Sequence, residues 1–212
     1  MITLLNIDCM EYMASQPDKA FDLAIVDPPY SQRCNLHGGS SSDAEHGWGG
    51  LWASNKHHEW NKRPPKEYFL ELRRVSKNQI IWGGNYFLDD LGDTSCIIIW
   101  DKGQRNFSLA DGELAWASFS KPLRIFSYSR AANNKTNRIH VNQKPVQLYD
   151  WLLINYAKPG QRILDTHLGS ASSAIAAHYF GVDFVGCELD KDYFESAQKR
   201  VKYQTRQLRL FP

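Results

Sequence analysis

The chain has 212 residues, 42% of them hydrophobic and 23% charged, with a net charge of +2: the profile of one folded domain able to bury a core. It contains no apolar run of about eighteen residues, which excludes a membrane span. Its start, Met1-Ile2-Thr3-Leu4-Leu5, lacks the basic region of a signal peptide, so the cytoplasm is the expected compartment. Cys9, Cys34, Cys96 and Cys187 are scattered without a C-x-x-C pair, against a disulfide framework or an all-cysteine zinc site. His37, His46, His57 and His58 near Cys34 are irregularly spaced and read as loop side chains, so no metal is expected.

In chain order, Phe21 to Val26 reads as a buried strand ending at Asp27. Residues 31–64 fit no period. They combine Gly38-Gly39 and Gly49-Gly50 with Trp48, Trp52 and Trp60, and add Arg33, Lys56, Lys62 and Arg63. This is expected to be a movable inserted loop that contacts DNA, with core packing or contact with a second copy of the chain as competing readings. Pro65 to Ser76 has helical spacing, and Gln79 to Trp82 is a strand stopped by Gly83-Gly84. Cys96 to Trp100 is a further strand. Leu114 to Phe119 and Arg124 to Tyr128 read as a hairpin split by Lys121-Pro122. Lys144 to Ala157 is a helix stopped by Pro159-Gly160. Arg162 to Asp165 is a strand feeding a Gly/Ser turn and a helix from Ser173 to Phe180. Asp183 to Cys187 is the last strand, and Asp190 caps the last helix. Alternating strands and helices predict an α/β domain spanning 1–212 with a mainly parallel sheet and an antiparallel hairpin at its edge.

Three places carry chemistry. Asp27-Pro28-Pro29-Tyr30 follows an apolar strand directly. Its two prolines stiffen the backbone, and a carboxylate beside an oriented carbonyl can accept both protons of an amino group. Tyr30 offers a stacking face for an extruded base. Asp165-Thr-His-Leu-Gly169-Ser170-Ala171 is a strand-to-helix turn whose glycine admits close approach of a ligand. Glu188 ends the next strand, where an acidic residue can accept from ribose hydroxyls; the glycine spacing is not G-x-G-x-x-G, against NAD or FAD. His140-Val141-Asn142-Gln143-Lys144-Pro145 opens a helix and could hold a ligand carboxylate, or serve simply as its cap. From Leu114 to Tyr149 there is no Asp or Glu, while Lys121, Arg124, Arg130, Lys135, Arg138 and Lys144 are present. With Lys199, Arg200, Lys202, Arg206 and Arg209, this suits a polyanion.

Taken together, these motifs resemble the β-class amino-methyltransferases of DNA, in which D-P-P-Y precedes the cofactor motif in a circularly permuted order. The resemblance runs from Leu4 to about Gln204. It implies a Rossmann-like methyltransferase fold, S-adenosylmethionine as cofactor, double-stranded DNA as partner and a second copy of the chain as a candidate one. It assigns catalysis to Asp27, Pro28, Pro29 and Tyr30. Cofactor contacts fall on Asp8, Asn142, Gln143, Lys144, Asp165, His167, Leu168, Gly169, Ser170, Ser172, Glu188 and Leu189. The implied reaction is methylation of N6 of adenine. N4 of cytosine is the alternative, although the family favours Ser-Pro-Pro-Tyr for it, and a DNA-binding module with lapsed catalysis is another. The chain departs from the pattern in three ways: Thr166-His167 replaces Pro-Phe, Ala171 replaces the second glycine, and only about Arg130 to Ile139 remains where a recognition region is usual.

Overall fold

Leu23 and Ile25 bury themselves on one face of their strand, and Ala24 and Val26 on the other. A strand apolar on both faces needs cover on both, which helices provide. The computed structural model describes residues 1–30, 62–106, 110–129, 139 and 143–206. The described elements are, in order, β1 (Ile2–Asn6), α1 (Cys9–Ala14), β2 (Phe21–Val26), α2 (Lys66–Val75), β3 (Ser76–Trp82), a 3₁₀ turn (Gly84–Tyr86) and α3 (Leu88–Leu91). After them come β4 (Cys96–Asp101), β5 (Gly112–Ala117), β6 (Arg124–Ser127), α4 (Val146–Tyr156), β7 (Arg162–Asp165), α5 (Ser172–Phe180), β8 (Asp183–Glu188) and α6 (Lys191–Gln204).

All eight strands form one sheet in the order β1-β8-β7-β2-β3-β5-β4-β6. The first five are parallel; β5 runs antiparallel to both β3 and β4, and β6 pairs parallel with β4. One apolar layer joins Leu23, Ile80 and Ile98 to Leu148 and Leu152 of α4 and Ile175 of α5. The other joins Ala24, Val26, Ile81 and Leu164 to Met13 of α1 and Tyr68, Phe69 and Leu72 of α2.

The mainly parallel sheet agrees with the sequence, but its antiparallel part differs from the expected hairpin. β5 and β6 do not pair with each other, because β4 lies between them. β5 buries Ala115, Trp116 and Ala117 and so belongs in the interior; β6, with Arg124 and Ile125 exposed, is the edge. The antiparallel hairpin that does form joins β4 to β5.

This order positions the functional residues. The chain leaves β2 through α2 towards β3 on one side, and leaves β7 through α5 towards β8 on the other. The sheet therefore has a switch point between β2 and β7, where open α/β sheets bind ligands beyond the strands' carboxyl ends. Asp27, Asp165 and Glu188 stand at or just past such ends. Reversed, β5 brings its start to the same edge, where Gly112 pairs with Asp101 at the end of β4.

Candidate active site and cofactor cradle

Asp27 follows β2 directly, and its two carboxylate oxygens differ in surroundings. Oδ2 accepts from the ammonium of Lys144, whose side chain is only 3% exposed. Oδ1 is buried and has no hydrogen-bond partner among the described residues. Burial pushes the Asp27 pKa up from its ordinary value, and the charge of Glu113 adds to this against the pull of Lys144. Tyr30 stacks on Tyr86 with ring centres 4.6 Å apart and planes 10° from parallel. Gly83, at φ +67°, makes room for it: a Cβ there would come within 2.6 Å of the Tyr30 ring. Neither Tyr86 nor Gly83 was singled out in the sequence as a partner of Tyr30.

The Asp165–Ala171 turn is held by its own side chains. Asp165 Oδ1 accepts from the amide of His167 at 3.0 Å, and Oδ2 from Ser173 Oγ at 2.6 Å. Burial raises the Asp165 pKa to about 7 despite those bonds. Glu188 Oε2 accepts from the Gly169 amide at 2.8 Å and Oε1 from the Asp190 amide at 3.0 Å. Each oxygen keeps a further lone pair for a hydroxyl donor. Beside Glu188, Leu189 is 60% exposed and offers an apolar surface. Leu168 is buried, and its amide bonds to the Cys187 carbonyl at 2.9 Å, tying the turn to β8.

Asn6 faces Glu188 across the β1–β8 pair, and its amide donates to the carbonyls of Glu188 and Leu189 at 2.8 and 3.1 Å. Asp8, two residues on, uses Oδ1 to cap α1 through the amides of Met10 and Glu11. His167 replaces the family phenylalanine and is kept neutral, its pKa lowered to about 4 by burial. Its Nδ1 lies 2.9 Å from Thr166 Oγ1, which also bonds to the Tyr68 hydroxyl at 2.6 Å. The acceptors, the exposed leucine and the glycine turn fit a nucleoside-type group, with Glu188 as its hydroxyl acceptor.

The third motif behaves differently from expectation. Asn142 lies outside the described residues, as do His140 and Val141. Gln143 is buried, and its Oε1 accepts from the Ile139 amide at 3.2 Å. Lys144, expected at a ligand carboxylate, instead reaches two carboxylates of the chain itself, Asp27 and Glu113, the latter at 3.1 Å. Glu113 also pairs with Lys102 at 2.7 Å. Burial works to raise the Glu113 pKa, but the two ammonium groups outweigh it and hold it at about 2. Ser172 joins this motif to the turn, donating to the Lys144 carbonyl at 2.7 Å and lying 3.2 Å from Ser170 Oγ.

Glu113 and Lys102 were missed in the sequence, although a carboxylate at the start of the apolar run Gly112–Ala117 is a readable signal. Arg200 was counted towards a polyanion-binding face, yet it donates inward to the Ser170 carbonyl at 2.5 Å and Ser172 Oγ at 2.9 Å. Arg63, proposed for phosphates, pairs with Asp90 at 2.7 Å. The rest of the proposed DNA-contacting loop, residues 31–61, lies outside the described residues, and so do Arg130, Lys135 and Arg138. Among the described residues, no helix is long and apolar enough to cross a membrane, and no group of three or more His, Cys, Asp or Glu could hold a metal.

The chain is 22% identical to the type II methyltransferase M.HinfI of Haemophilus influenzae, over 94% of this chain and 68% of that protein. Its fold is similar to the M1.HpyAVI–SAM complex, with a TM-score of 0.60 at 21% identity, covering 94% of this chain and all of the other. It is similar also to the cytosine-N4-specific PvuII DNA methyltransferase, with a TM-score of 0.60 at 13% identity, over 96% of this chain and 90% of the other. A family model described as DNA methylase, for the N6/N4 methyltransferases, matches residues 81–199, more than half of the sequence. The chain belongs to the N6/N4 DNA methylase family.

Proposed function

We propose that this protein methylates N6 of adenine in double-stranded DNA, using S-adenosylmethionine. The observation that carries the reading is the asymmetry of Asp27: Oδ2 is held by Lys144, and Oδ1 is a buried acceptor without a partner among the described residues. A buried acceptor left unpaired is costly, and an amino group brought to it would satisfy it. Asp27 Oδ1 and the Pro28 carbonyl would each accept one amino proton, which localises the nitrogen lone pair otherwise drawn into the base. The stacked Tyr30–Tyr86 pair offers its outer face to a base flipped out of the duplex. Glu188, Leu189 and the Asp165–Ala171 turn would hold the cofactor, which supplies a methyl group already activated on a sulfonium. The protein's own task is then placement and charge, the two terms that reward a rigid site.

An aspartate before Pro-Pro-Tyr, where the cytosine enzymes favour serine, supports adenine over cytosine. DNA from cells expressing the chain, digested to nucleosides and analysed by mass, is expected to contain N6-methyladenine. N4-methylcytosine instead would move the target to cytosine. Asp27→Ala should lower transfer by several orders of magnitude and leave cofactor affinity nearly unchanged. If neither methylated nucleoside forms while the protein binds cofactor and DNA, the chain is a binding module and the transferase reading is wrong.

A further inference from the structure

Lys144 carries three protons and is enclosed by three acceptors, two carboxylates and an aromatic face. Asp27 Oδ2 and Glu113 Oε2 take two directions, and the face of the Trp82 ring, 5.2 Å from the ammonium, lies along another. Glu113 is in turn shared between Lys144 and Lys102. Two cations and two carboxylates make a cluster with no net charge. A lone buried Lys–Asp pair would be free to collapse, with the ammonium bridging both oxygens of the aspartate. The second carboxylate gives the ammonium another acceptor, 3.1 Å away.

We propose that Glu113, anchored by Lys102, is a positioning residue that shares the Lys144 ammonium, so that Lys144 occupies only Oδ2 of Asp27 and leaves Oδ1 to accept from the target amino group. The inference rests on the reading of Asp27 as the carboxylate that orients the amino group. The reversal of β5 brings Glu113, and the end of β4 brings Lys102, to the edge where Asp27 stands. The other titratable groups coupled to Asp27 are Tyr30 on its own segment, Tyr68 on α2, Asp165 on β7 and Tyr149 on α4. They are common to all the variants below, so differences between variants report the cluster.

The cluster makes a signed prediction. Turnover requires ionised Asp27, so kcat falls as pH drops through its pKa. Glu113 raises that pKa, whereas Lys144 and Lys102 lower it. Glu113→Gln should therefore move the acid limb of kcat to lower pH. It should also cut the plateau about tenfold, because Lys144 then closes on Asp27. Lys144→Met should move the limb to higher pH by a unit or more, with activity at neutral pH partly recovered in alkaline buffer. Lys102→Met, at a less buried position, should move it the same way by less, and it stands in should Lys144→Met not fold. Cofactor affinity should stay within about twofold throughout.

Opposite displacements for the acidic and basic positions support the relay. An unmoved limb in Glu113→Gln, or displacements of the same sign, overturn it. So does an effect confined to cofactor affinity. Asp27→Ala, measured alongside, separates the two ideas. If it keeps near-normal turnover, the reading of Asp27 itself fails; if it is inactive while Glu113→Gln matches the parent, only the relay fails.

Discussion

Ala171 holds φ 59° and ψ 29° at the start of α5, a left-handed conformation that L residues other than glycine avoid. The strain is about 1–2 kcal/mol. Opposing it, the methyl group is fully buried, worth about 0.8 kcal/mol, and alanine removes some freedom from the unfolded chain, about 0.5–1 kcal/mol. These terms nearly cancel. Ala171→Gly should therefore change the unfolding free energy by no more than about 0.5 kcal/mol in denaturant titration. Ala171→Val should lower it by about 2 kcal/mol or more, since a branched side chain has no comfortable rotamer there. A large gain in stability for glycine would show that the strain estimate dominates and that the buried methyl contributes little. The departure from the family glycine leaves Gly169 in place, at φ +49° and bonded through its amide to Glu188.

At the scale of elements, α6 does more than cover the sheet. Its Arg200 reaches under the Asp165–Ala171 turn and is held there with a pKa pulled down to about 10 by burial. Arg200→Met should weaken S-adenosylmethionine binding about tenfold, the value of one well-placed hydrogen bond, with turnover at saturating cofactor preserved. Isothermal titration beside single-turnover rates would check both halves; unchanged affinity would make Arg200 a packing residue. The elements nearest this turn were the most legible in the sequence. β2 and β7 are short apolar runs ending in a carboxylate, and Asp190 caps α6 through the amides of Asp192 and Tyr193 as its residue type suggests. β1 was not recognised, because Ile2–Asn6 is only partly buried and nothing local separates it from a loose terminus. The direction of β5 was not legible either. A strand's sequence states which faces are apolar, not which neighbour it joins, and the partner of Glu113 lies 31 positions further along the chain in Lys144.

The whole molecule gathers one candidate site from distant stretches, so the residues that sequence could nominate for it are those whose chemistry is local. Asp27-Pro-Pro-Tyr, Asp165, Gly169 and Glu188 each announce themselves beside a strand end, whereas Lys102 and Glu113 acquire meaning only from the strand order. A ligand that binds across β7 and β8 should brace the assembled sheet. At about 100 times its Kd, S-adenosylmethionine should add roughly 2.7 kcal/mol and raise Tm by about 5–10 °C, with no rise from NAD. Glu188→Ala should lose the rise at the same concentration; an equal rise in that variant would place the cofactor elsewhere.

The sheet order also bears on how the molecule comes into being. Among the described strands β1 pairs only with β8, and the bond from the Met1 amino group to Asp183 closes a gap of 182 positions. During synthesis at about 5–20 residues per second, β1 waits roughly 10–40 s for its neighbour to be made. For most of that interval β2 also lacks β7 on its inner side, leaving an apolar edge open to mispairing. On the proposed reading, a nascent chain has Asp27 long before it has Lys144, 117 positions further on, and the site can assemble only after β7 and β8 have been made.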